Sequence, residues 1–250
     1  MNRLLNNLGK WLARYLEKPH RAHAAAAATP IEQLRACLQP ADVLLVEGNT
    51  RFSTAIKYLT QSTWSHAALY VGGDEQNCFV EADTLEGVRS VGLEQFAGMH
   101  TRICRPHGLT EDDRRLVIDY AIERIGYRYD LRNIFDLARY LLPTPPVPSR
   151  YRRRMIALGS GDPSRAICST LIAQAFQSIS YPILPLVEQL PVETEGCRNC
   201  SRELFHIRHH SLFTPRDFDV SPYFSVIKPT LESDFDFHRI VWRKAPMDGE

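Results

Sequence analysis

The stretch Arg165-Ala166-Ile167-Cys168-Ser169-Thr170-Leu171-Ile172-Ala173-Gln174-Ala175-Phe176 constrains the fold most, because it sets a thiol at the front of a helix. Leu171, Ile172, Ala175 and Phe176 follow Cys168 at three, four, seven and eight positions, the spacing of one buried helical face. Upstream, Gly159-Ser160-Gly161-Asp162-Pro163-Ser164 cannot extend the helix backwards, and Asp162 or Ser164 can cap its free N–H groups. Cys168 therefore falls in the first turn. There the helix dipole favours thiolate, and neighbouring backbone N–H groups can receive a developing oxyanion. A small buried core cysteine has the same local pattern, so partners elsewhere in the chain must decide between the two readings.

The best partner is His66, in Ser65-His66-Ala67-Ala68-Leu69-Tyr70-Val71-Gly72-Gly73, a run of β-formers closed by two glycines that reads as a strand and turn. A second strand follows at Cys78-Phe79-Val80-Glu81-Ala82. If the two pair, His66 and Glu81 can share a face, with the carboxylate accepting a hydrogen bond from the imidazole and fixing its tautomer. Taken singly, His66 reads as a core histidine and Glu81 as a solvated strand residue; taken together with Cys168 they form a triad.

The order Asp42-Val43-Leu44-Leu45-Val46, Trp64-Ser65-His66, Val80-Glu81-Ala82, Gly87-Val88, Tyr129-Asp130 and Cys168-Ser169 resembles the circularly permuted papain-fold hydrolases. More narrowly it is similar to the YiiX-like amidase and peptidase group, related to NlpC-type cell-wall peptidases and lecithin:retinol acyltransferases. Here the histidine precedes the cysteine, as permutation requires. The resemblance spans residues 38–180, with a looser match beyond. It implies an α+β fold, an antiparallel sheet or half-barrel packed against the nucleophile helix, with Cys168 as nucleophile, His66 as general base and Glu81 as the polar third member. Trp64, Tyr129 and Ser169 are the residues expected to border the substrate; Trp64 and Tyr129 read equally as core aromatics. Asp42 stands where the resembling families carry a Gly-Asp, and reads as a turn residue.

Residues 1–19 form a basic amphipathic pattern, with Leu4, Leu5, Leu8, Trp11, Leu12, Tyr15 and Leu16 at helical spacing among Arg3, Lys10, Arg14 and Lys18. Such a helix can lie on an anionic bilayer or pack on the domain or a second subunit. Residues 20–37 read as a linker and a short helix from Ile31, 38–180 as the catalytic core, and 181–250 as an extension completing the domain. Within the core, Thr110-Glu111-Asp112-Asp113 is a capped helix start, and Pro143 to Arg154 is a stiff, arginine-rich insertion spanning 142–154 that reads as a solvated loop, a lid or an anion contact. In the tail, strands are expected at Tyr223–Ile227 and Phe237–Trp242.

With 30 Lys and Arg against 29 Asp and Glu, charge offers no argument for nucleic acid as a partner. No apolar stretch reads as a secretory signal or a membrane span, so the expected location is cytoplasmic, with peripheral contact on the inner face of the membrane open through residues 1–19. Six scattered cysteines form no compact disulfide framework. Cys197 and Cys200, followed by His206 and His209, have the ligand types of a zinc site but too tight a gap, and no metal or organic cofactor is expected. The chemistry expected is acyl-enzyme hydrolysis of a peptide, amide or lipid substrate. Lipid acyl transfer on the same fold, or non-catalytic binding through the N-terminal helix, are the alternatives, and oligomeric state stays open.

Overall fold

A computed structural model describes residues 28–83, 86–127, 167–194, 197–232 and 236–239. The expectations for residues 1–19, for Tyr129 and for the 142–154 insertion lie outside them. The chain enters through α1 (Ile31–Cys37), β1 (Val43–Val46) and α2 (Arg51–Thr60), then β2 (His66–Tyr70), β3 (Phe79–Asp83) and β4 (Gly87–Val91). A 3-10 turn at Leu93–Phe96 leads to β5 (Thr101–Pro106) and α3 (Glu111–Ile122). The cysteine helix is α4 (Ile167–Ser178), followed by β6 (Leu186–Thr194), β7 (Cys197–His206), α5 (Pro215–Asp219), β8 (Phe224–Ile227) and α6 (Pro229–Glu232).

Six strands form one sheet in the order β4-β3-β2-β1-β5-β8, and every neighbouring pair is antiparallel. The fold is therefore α+β with an open antiparallel sheet, as expected. Alternation along the strands divides the core in two. Leu45, Ala67, Leu69, Val80 and Ala82 join Leu171, Ile172, Ala175 and Phe176 of α4 in the larger cluster. Leu44, Val46, Ala68, Phe79 and Ile103 face the other way and pack with Leu34 of α1 and with Phe96. The four apolar α4 residues marked by helical spacing are all fully or almost fully buried, with Leu171, Ile172 and Phe176 each contributing about 1.5–3 kcal/mol of apolar burial. Helix α3 packs on α4, and it begins where its sequence says. The Thr110 hydroxyl accepts from the Asp113 N–H, and the Asp113 carboxylate accepts from the Thr110 N–H in return.

One expectation for the tail is corrected. Residues 237–239 form a 3-10 turn rather than the start of a strand. The segment after α4 also holds a long hairpin, β6 with β7, that no alternation announced. That hairpin pairs only with itself and leaves Leu186, Val187, Leu204, Phe205 and Ile207 exposed. With apolar residues outside the core, its sequence lacks the polar-out alternation that marks a half-buried strand.

Candidate active site

Register brings His66 and Glu81 together. Ala68 lies opposite Glu81, so His66, two residues earlier on the same face, is the diagonal neighbour of Glu81 across the antiparallel pair. The ring Nε2 and Glu81 Oε2 are 2.7 Å apart. The ring also faces Cys168, whose charge acts on it strongly, and the backbone N–H of Ala67 lies towards the same sulfur. The pairing of β2 with β3 begins at Ala68, so one residue earlier the amide serves the thiol. Ser169 Oγ lies 3.9 Å from the same sulfur.

The position of His66 is held from behind. The Gly48 N–H donates to Ser65 Oγ at 2.9 Å, and the Ser65 N–H donates to Val46 O at 3.1 Å. A β-carbon at Gly48 would collide with Ser53 Oγ and lie 2.9 Å from Ser65 Oγ. Glycine is needed there for close approach, because the α2 start and the His66 approach meet over it.

Burial separates the three groups. Cys168 is 6 % exposed and the Glu81 side chain 3 %, whereas the His66 side chain is 27 % exposed, so the imidazole is the most open of the three. Burial alone raises the thiol pKa, but the charge of His66, its hydrogen bond, the Ala67 amide and the Ser169 hydroxyl together bring Cys168 below its ordinary value. Burial pulls His66 down, yet the facing Cys168 and then Glu81 outweigh it and push it up to about 10. Burial likewise raises Glu81, and His66 followed by Arg89 brings it down to about 2. The resting state these shifts favour is thiolate, imidazolium and carboxylate in a row.

Arg89 is the residue that sequence reasoning missed. Its Nε and Nη2 donate to Glu81 Oε1 at 2.9 and 2.7 Å, and its Nη1 donates to Glu86 Oε2 at 2.8 Å. Glu81 thus spans a histidine and a doubly donating guanidinium, which holds it ionised and fixes its rotamer. A signal existed: Glu81 faces Arg89 across the β3–β4 hairpin, and that hairpin's turn is visible in the sequence.

The other expected substrate residues scatter. Ser169 is fully buried and turned to the sulfur. Trp64 is 2 % exposed, donates its indole N–H to Asp219 Oδ2 at 3.0 Å, and carries the Arg102 guanidinium 4.9 Å above its ring. Tyr129 lies outside the described residues, as do the side chains of Cys197 and Cys200. His206 pairs with Glu188 and His209 with Ser211. Among the described residues no group of three or more His, Cys, Asp or Glu is placed to hold a metal ion, and none of their helices is long and apolar enough to cross a membrane.

A cysteine in the first turn of a helix, facing a histidine on a sheet that a carboxylate orients, is the arrangement of a papain-like cysteine hydrolase, with the histidine ahead of the cysteine in permuted order. Residues 37–140, the segment bearing His66, Glu81 and Arg89, are similar to the family described as permuted papain-like amidase enzyme, YaeF/YiiX, C92 family. Cys168 falls beyond the matched residues and joins the site through the fold. Among solved structures, the crystal structure of metalloprotein yiiX from Escherichia coli O157:H7 is similar at 14 % identity, with a TM-score of 0.44, covering 76 % of this chain and 96 % of that one. No curated protein matches the sequence.

Proposed function

We propose that the protein hydrolyses an amide through an acyl-enzyme on Cys168. The Cys168 thiolate attacks the substrate carbonyl carbon and forms the tetrahedral adduct. The His66 imidazolium gives its Nδ1 proton to the leaving amine, and the C–N bond breaks to leave a thioester. Neutral His66 then takes a proton from water as that water attacks the thioester, and the acid leaves with the thiolate restored. Glu81, fixed by Arg89, keeps Nε2 protonated throughout. The positive end of α4 and the backbone N–H of Cys168 support the developing oxyanion.

The observation that carries this reading is the contact of a buried thiol with a histidine that is itself bonded to a buried carboxylate. A core cysteine has no use for that charge. The other free thiols support the contrast: burial pushes Cys37, Cys78 and Cys104 up, while Cys168 alone of these four is brought down.

Iodoacetamide alkylation followed across pH, with the modified peptide identified by mass, tests the reading. Cys168 should react well below pH 8, Cys37, Cys78 and Cys104 should not, and His66→Ala should move the Cys168 midpoint upward. An unchanged midpoint in His66→Ala, or no preference for Cys168, would sink the proposal. Cys168→Ser should then abolish turnover of any amide found by screening.

A further inference from the structure

A polar cavity of about 650 Å³ is lined by Glu47, Lys57, Trp64, His100, Arg102, Arg216 and Asp219 among others. Its place relative to the nucleophile follows from register. Arg102 lies opposite Leu45, and Leu45 opposite Ala67, whose amide meets the Cys168 sulfur. Two strand spacings of about 4.8 Å each separate the Arg102 backbone from that of Ala67, so the cavity wall lies on the order of 10 Å across the sheet from the residue beside the thiol. The parity agrees: Arg102 shares the face of Cys104, and Cys104 belongs to the cluster that α4 packs on. Cavity and nucleophile therefore share one face and one end of the sheet.

The lining has donors to spare and no acceptor charge to spare. Glu47 is taken by Lys57 at 3.1 Å and by His100 Nδ1 at 3.0 Å. Asp219 is taken by Arg102 at 2.5 Å and by the Trp64 indole at 3.0 Å. Arg216 differs: among the described residues it donates only to the backbone carbonyl of Thr60, at 3.1 Å, which uses one of the five N–H groups of a guanidinium. Lys57, Arg102 and Arg216 against Glu47 and Asp219 leave the cavity one net positive charge. A guanidinium with an open fork on the wall of a net-positive cleft receives a planar oxyanion.

We propose that this cavity is a substrate subsite in which Arg216 binds an anionic group, carboxylate or phosphate, carried about 10 Å from the scissile carbonyl. The Trp64 indole, buried beneath Arg102 and bonded to Asp219, supports the wall that carries Arg102. The inference rests on the amidase reading for the words "substrate" and "scissile", while the anion site stands on its own geometry. It gives the enzyme a ruler: acyl chains of two or three extended residues' length, ending in a negative charge, are the ones both ends of the cleft can hold.

Three matched amide substrates, alike except for a terminal carboxylate, phosphate monoester or neutral methylamide about 10 Å from the scissile bond, test it on the intact chain. An anionic form should exceed the neutral one in kcat/KM by roughly tenfold or more, mostly through KM, and which anion gains more identifies the source. Arg216→Gln should erase that preference, bringing kcat/KM of the charged amides down to that of the neutral one. In parallel, glutarate and inorganic phosphate are titrated while the Trp64 indole N–H resonance is followed; it should shift in the intact protein and not in Arg216→Gln. Arg216→Lys, which keeps charge without the fork, should retain a part of both effects and replaces the glutamine variant should that one melt early. Equal use of charged and neutral amides, or an anion-induced shift that survives both substitutions, overturns the subsite. A shift that depends on Arg216 in a protein that cleaves none of the three supports the anion site and counts against the amidase reading instead.

Discussion

Two carboxylates in this fold are buried against an arginine from a neighbouring strand or hairpin partner, and they serve different ends. Asp42, fully buried ahead of β1, accepts from Arg105 Nε and Nη2 at 2.9 and 2.8 Å and from the Gln39 N–H at 2.8 Å. Glu81, 3 % exposed on β3, accepts both Arg89 N–H groups on the one oxygen Oε1, and its other oxygen goes to His66. Burial wins at Asp42 and leaves its pKa raised despite Arg105; at Glu81 the added imidazolium tips the balance the other way, to about 2. The shared arginine device holds a carboxylate in place. What the third partner is, a backbone amide or a titratable ring facing a thiol, makes one a turn lock and the other part of the proposed reaction centre.

The largest effect that sets the two apart is expected from Glu81→Gln, with a loss of roughly 10³-fold in kcat/KM because the imidazolium loses its counter-charge and its orientation. Asp42→Asn should leave turnover of the folded protein nearly unchanged while lowering stability by about 3 kcal/mol, since Arg105 is left without its charge partner; urea midpoints and kinetics on both variants check the crossing. If Asp42→Asn costs activity as Glu81→Gln does, the division into lock and reaction centre is wrong. Smaller, Arg89→Gln should reduce kcat/KM about tenfold and move the acid limb of the pH–rate profile upward, because Glu81 then protonates at a higher pH.

The acid stability curve sharpens the contrast with opposite signs. Glu81 has its folded pKa below the ordinary 4.5, so its contribution is full above that value and is lost as pH falls towards 2. Asp42 has its folded pKa raised, so its contribution is full at low pH and is lost as pH rises through the folded value. Urea midpoints between pH 2 and 5 should fall less steeply with acid in Glu81→Gln than in the intact protein, and more steeply in Asp42→Asn. On the alkaline side, His66 at about 10 predicts stability and activity lost together as pH rises from 6.5 towards 10. The smallest expected effect is at Gly48→Ala, where the added carbon displaces Ser65 and with it His66; kcat should fall several-fold with the alkylation profile of Cys168 broadened.

Much of the site was legible because it rests on local periodicities. The i+3, i+4, i+7 and i+8 residues after Cys168 define the buried face of α4, and the two-residue alternation of strands places His66 and Glu81 on one side once their pairing is granted. Thr110 and Asp113 announced the start of α3 through the chemistry of orphan N–H groups. Arg89 stood within reach, because a hairpin turning near Gly87 sets residue 89 against 81. The β6–β7 hairpin was not legible, since its exposed apolar residues break the polar-out pattern, and Phe237 kept strand-like neighbours while adopting a 3-10 turn.

Local chemistry was enough to name the thiol, the imidazole and the carboxylate, and to say that Cys168 heads a helix. Their meeting needed the folded chain, because a period says which way a side chain points and not what it will face. Register joined Ala67 to the sulfur, the sheet order set Arg102 two strands away, and the return of α5 brought Asp219 to Trp64, 155 residues apart in sequence. Such pairings carry no local signal, since each is fixed by the packing of elements whose own sequences never mention one another.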